Sequence, residues 1–75
     1  MKELIEFIAK SIVNVPDDVV ITEEETEYGT TFKLQVNEED KGRIIGRQGR
    51  VAQAMRTLLR VKAAKAGSRA SLEII

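Results

Sequence analysis

The sequence predicts an α+β fold in the order α-β-β-α-α-β, with three helices on one face of a three-stranded sheet. Three patterns predict it. Apolar side chains recur at helical period over residues 2–13, and they alternate with polar ones over 31–36. Two helical stretches interrupted by glycine then lead into a short closing alternation at 70–75. At 75 residues the chain is read as one domain, 1–75, whose core covers only about 60% of the unfolded surface.

The first helix carries Leu4, Ile5, Ile8, Ile12 and Val13 on one face, with Phe7 on its flank. Asn14-Val15-Pro16 ends it, because the residue before a proline is pushed out of the α region. The β-branched run Val19-Val20-Ile21 reads as a strand. Phe32, Leu34 and Val36 alternate with Thr31, Lys33 and Gln35 and make a second, half-buried strand. The two are expected to form a hairpin turning at Tyr28-Gly29, with an acidic loop over Glu23 to Glu27.

Asn37 is placed to cap the second helix, with Glu38, Glu39 and Asp40 favourable in its first turn. That helix runs into Ile44-Ile45 and is cut by Gly46. The third helix runs from about Gly49 to about Ala66, where Gly67 is a natural stop. On its wheel Arg50, Gln53, Arg56, Thr57 and Arg60 fill a polar wedge of roughly 120°. The apolar arc left over is wider than one sheet contact needs. Either the first helix or a second protein molecule would absorb the surplus. Ala70 to Ile75 reads as the last strand.

The charge is split along the chain. Residues 1–40 hold 3 basic and 11 acidic residues, a net −8, and residues 41–75 hold 9 basic and 1 acidic, a net +8. The total is zero, but a split this large argues for a charge-polarised surface. Two oppositely charged helical faces attracting each other would also produce it. Cysteine and histidine are both absent. There is therefore no disulfide framework, no Cys-based metal site and no histidine base. Ser11, Ser68 and Ser71 have no base to activate them, which leaves an enzyme with little support. No apolar run approaches the roughly 18 residues of a membrane span, and the charged N-terminus is not a signal peptide, so the expected compartment is the cytoplasm.

The informative stretch is Gly42-Arg43-Ile44-Ile45-Gly46-Arg47-Gln48-Gly49-Arg50-Val51. No Gly-Lys-Ser/Thr follows, so it is not a Walker loop. No strand precedes it, so it is not a dinucleotide fingerprint. A short turn between helices needs φ values that glycine adopts cheaply, and a phosphate backbone approaches closely where no Cβ stands in the way. Gly49 opens a helix, so free N–H groups and the positive dipole end face the loop. Arg47 and Gln48 project outward, and Arg47 adds a guanidinium for phosphate oxygens. Ile44, Ile45 and Val51 are expected to anchor the flanking helices to the sheet.

This stretch resembles the KH domain, whose mark is an Ile-Gly-x-x-Gly loop joining two helices. The resemblance runs along the chain. Val15-Pro16 after the first helix, the Ala-rich third helix ending near Gly67 and the closing strand are similar to the small bacterial single-KH proteins of the KhpA type. Those have the type II arrangement with a mixed three-stranded sheet. The family often has lysine after the first loop glycine. Arg47 keeps the charge and changes the phosphate contact from a point to a fork.

The resemblance implies single-stranded RNA binding without catalysis, cofactor or metal. The residues expected at the RNA are Arg43, Ile44, Ile45, Gly46, Arg47, Gln48, Gly49 and Arg50. It also implies an RNA chaperone or post-transcriptional regulator that forms homodimers and pairs with a larger KhpB-type partner, with a link to cell elongation and to envelope and cell-wall regulation. The other class of function is a protein-interaction or dimerisation module, with the third helix as the interface and the loop secondary or degenerate.

Overall fold

A computed structural model describes all residues, Met1–Ile75. Helix α1 spans Lys2–Ile12, strand β1 Val20–Thr26, strand β2 Gly29–Gln35, helix α2 Lys41–Ile45, helix α3 Arg50–Lys65 and strand β3 Ala70–Ile74. Short 3₁₀ turns at Pro16–Asp18, Glu38–Asp40 and Arg47–Gly49 join them. The class and the order are those the patterning predicts, and three helices lie on one face of a three-stranded mixed sheet. No helix is long and apolar enough to cross a membrane.

Strand β2 is central. It pairs antiparallel with β1 and parallel with β3. A two-residue turn suffices for the first pairing, whereas the second requires a crossover, which α2 and α3 supply. Phe32 and Leu34 of β2 are fully buried and meet Ile5, Ala9 and Val13 from α1, Ile44 from α2, Met55 and Leu59 from α3, and Leu72 from β3. The other face of the sheet is polar and open to solvent. Thr31 and Ser71 share a hydrogen bond of 3.1 Å there, and Lys33 pairs with Glu24 at 3.2 Å. One wet and one dry face is the common arrangement for a sheet with an antiparallel pair.

The acidic segment is a strand, where a loop was expected. Glu23, Glu24 and Glu25 lie in β1, opposite Phe32, Thr31 and Thr30. Only Glu27 and Tyr28 turn the chain. The Thr26 hydroxyl closes that turn, accepting from the Tyr28 N–H at 3.2 Å and donating to the Gly29 carbonyl at 3.1 Å. Pairing with β2 overrides the low strand propensity of glutamate. On an outer strand the carboxylates stay in water, and a row of like charges keeps the free edge from pairing with another chain.

The segment before α2 also differs from expectation. Asn37 caps the 3₁₀ turn, with Oδ1 accepting from the Glu39 N–H at 2.9 Å, and α2 itself begins at Lys41. Asp40 points inward and is 1% exposed. Its Oδ1 accepts from the Asn14 N–H and its Oδ2 from the Val15 N–H, each at 3.1 Å. A second link runs beside it, from Asn37 Nδ2 to Asp18 Oδ2 at 2.9 Å. The exit of α1 and the entry of α2 are thus clasped together by side chains 19 to 26 residues away in sequence. Replacing Asp40 with Ala leaves two backbone donors without acceptors, a loss of about 2–4 kcal/mol at the usual cost of such groups. Urea unfolding is expected to show that loss, and Asp40→Asn, which retains one carbonyl oxygen, to show a smaller one.

Candidate nucleic-acid interface

Helix α2 ends at Gly46, whose N–H bonds to the Gly42 carbonyl at 2.9 Å. Gly46 sits at φ 77°, ψ 175°, a region essentially confined to glycine. A Cβ there would overlap the Val51 side chain and stand 2.8 Å from the Val51 nitrogen. The chain then makes one 3₁₀ turn, with the Gly49 N–H bonded to the Gly46 carbonyl at 3.2 Å. Gly49 is left-handed at φ 74°, ψ 14° and opens α3. Between them Gln48 is also left-handed, at φ 58°, and it is the one non-glycine residue with positive φ. That conformation costs a residue with a Cβ roughly 1–2 kcal/mol.

Arg43, Arg47, Gln48 and Arg50 are all exposed around this turn. Ile44 lies fully buried in the core. Ile45 does not anchor α2 as expected: it is 42% exposed beside the loop. Consecutive helical side chains diverge by about 100°, so a five-residue helix resting on one face buries only one of the pair. Gly42, on the outer side of the same helix, has open space where a Cβ would be. Its backbone is ordinary, so nothing in the fold demands glycine there. Gly42 opens the informative stretch but is not among the residues expected at the RNA, although a glycine inside so short a helix is itself a signal.

The charges around the loop are unspent. The ion pairs of the chain are Lys10–Glu6, Lys33–Glu24 and the N-terminal ammonium with Glu3, and none involves a basic residue beyond position 40. Attraction between the two halves therefore does not take the form of ion pairs. Helix α3 begins with no side-chain cap and no acidic residue in its first turn, so its dipole end is uncompensated. Arg56 is different from its neighbours: it is half-buried, and Nε donates to the Leu72 carbonyl at 3.3 Å, tying α3 to the free edge of β3.

The apolar arc of α3 is only partly consumed. Ala52, Met55, Leu59 and Ala63 are buried, while Leu58 and Val61 stay 48% and 51% exposed. Leu4 of α1 borders that strip together with Lys62 and Lys65. Near it, Glu3 is held below the usual carboxylate range by its own backbone N–H and by the terminal ammonium, with a smaller contribution from Lys62. The first helix reaches the strip without covering it.

The three glycines order themselves by these environments. Gly46→Ala is expected to destabilise most, because strain and overlap add. Gly49→Ala should lose about 1–2 kcal/mol from strain alone. Gly42→Ala should be neutral or stabilising by up to about 1 kcal/mol. Thermal melts of the three variants check the order.

The family described as KhpA/KhpB, KH domain matches residues 2–74. A relative named RNA-binding protein KhpA from Listeria monocytogenes is 52% identical over 75 residues, covering 100% of this chain and 99% of its own. Relatives of the same name from Clostridium acetobutylicum and Borreliella burgdorferi are 45% and 51% identical, over 100% and 97% of this chain and 100% and 89% of their own. No solved structure matches the chain. The fold, the Ile-Gly-x-x-Gly turn between α2 and α3 and these full-length similarities agree: the chain belongs to the KH-domain family of KhpA and KhpB.

Proposed function

We infer that the chain is a non-catalytic single-stranded RNA-binding protein that grips the RNA backbone at the Gly46–Gly49 turn. The observation that carries this reading is the start of α3, uncapped and without acid, surrounded by Arg43, Arg47 and Arg50, which form no ion pairs. The positive dipole end of α3 attracts phosphate. Guanidinium forks bind its oxygens. The bare Cα positions at Gly42 and Gly49, each with open space where a Cβ would be, let a sugar-phosphate chain come close. Exposed Ile45 offers apolar surface to a base. The name of the relatives, RNA-binding protein, supports the same reading. On this reading the protein acts in the cytoplasm as an RNA chaperone or post-transcriptional regulator, and the family resemblance implies a KhpB-type partner and a part in cell elongation and envelope regulation.

Replacing Arg47 and Gln48 together with Asp is expected to abolish binding to a short unstructured RNA. Both side chains face solvent, so the melting curve should move by no more than about 0.5 kcal/mol of stability. Binding by the double variant at parental affinity would remove the loop from the mechanism. With two to four phosphates neutralised, a salt titration should give a slope of log K against log salt of roughly −1.5 to −3. A much steeper slope that the double variant does not change would indicate diffuse attraction.

A second reading is favoured by one observation, the strip Leu58, Val61 and Leu4 with its lysine rim. It suits self-association through α3, which would place two loops in one particle and raise RNA affinity through effective concentration. Sedimentation is expected to show a dimer at micromolar concentration that Val61→Asp converts to monomer. A parent that stays monomeric at high micromolar concentration contradicts it.

A further inference from the structure

We propose that a second RNA contact lies at the far end of α3, where Arg60 and Arg69 hold phosphates and Tyr28 stacks a base, so that the bound strand extends past the loop. The proposal rests on the RNA reading of the loop and adds a site to it. Ten residues of helix separate Arg50 from Arg60, about 15 Å at the α-helical rise. A KH loop clamps about four nucleotides of backbone. A strand that continues along α3 beside the β3 edge runs past Arg56, whose guanidinium already covers the Leu72 carbonyl, and arrives at Arg60.

Arg60 borders a shallow concavity of about 400 Å³ with Ala64, Ser68, Arg69 and Ala70. Arg69 and Ala70 also border a second one, of about 290 Å³, that Tyr28 lines at the tip of the hairpin. Arg69 therefore stands between the helix and the tyrosine. Neither arginine forms an ion pair, and Glu27, on the rim with Gly67 and Ser68, is the one acidic side chain in the lining.

Tyr28 is 79% exposed and contributes nothing to the core. It is nevertheless carried on a fixed support, because Thr26 closes its turn and the Thr30 N–H bonds to the Arg69 carbonyl at 2.9 Å. An exposed aromatic ring that lines the same concavity as an unpaired guanidinium is the pairing that single-stranded nucleic acid uses: the ring takes a base face and the fork a phosphate. The concavities are shallow and open, unlike the enclosed apolar sites that hold small molecules.

The test uses the full chain with a tetranucleotide and a ten-nucleotide oligouridine, read by fluorescence anisotropy. The parent is expected to bind the ten-mer more tightly than the tetramer. Tyr28→Ala should weaken ten-mer binding about tenfold, within the range for loss of one stacked base. Arg60→Gln with Arg69→Gln should lower the ten-mer salt slope by about 1.4, two contacts at roughly 0.7 each. Tetramer affinity should be unchanged in both variants, which also shows that they fold. Arg47→Asp with Gln48→Asp should lose both RNAs. Parental ten-mer affinity and slope in the Tyr28 and arginine variants would overturn the second contact and leave the loop standing, even if the ten-mer binds tightly by bridging two loops. A parent that binds neither RNA would overturn the loop reading, and this one with it.

Discussion

A helix of five residues cannot hold itself, since isolated helices shorter than about 12–15 residues are marginal in water. Helix α2 has that length, and the Gly-Arg-Gln-Gly turn hangs from its end. Three contacts from outside hold it in place. Ile44 sinks into the core, Asp40 fastens its entry to the exit of α1, and Gly46 presses against Val51 of α3. The last contact works only because Gly46 lacks a Cβ. The loop is thus placed by tertiary packing and not by the propensity of its own residues.

That support explains how strain persists in the turn. Gln48 keeps a left-handed backbone in a turn bounded by Gly46 and Gly49, both in conformations that favour glycine. Strain of this kind survives where surroundings over-determine it, and it gathers at functional sites. Charge follows the same division of labour. The acidic half of the chain forms the outer strand and the clasp, with its ion pairs kept to itself. The basic half surrounds the loop and lines α3 with arginines that no carboxylate neutralises. A neutral protein therefore presents an anion-attracting face.

What was legible in the sequence was local. The helical period of α1, the alternation of β2 and the glycines around Arg47 each act over a few residues, and each stands where the patterns put it. What was not legible depends on partners distant in sequence. The glutamates of β1 look like a loop until β2 pairs with them. Asp40 looks like a helix-dipole residue until the donors of Asn14 and Val15 arrive beside it. Ile44 and Ile45 look equivalent until a short helix can bury only one. Arg56 looks like one more side chain of the solvated polar wedge until the edge of β3 offers it the Leu72 carbonyl.

The central claim is that the turn itself meets the RNA backbone. Backbone amide resonances, followed by NMR while a short single-stranded RNA is added, report on it directly. The account predicts that the largest shifts fall on residues 46–52, with smaller changes at Gly42 and Ile45. Shifts concentrated on Leu58 and Val61 or on β1, with the amides of 46–52 unmoved, would contradict it.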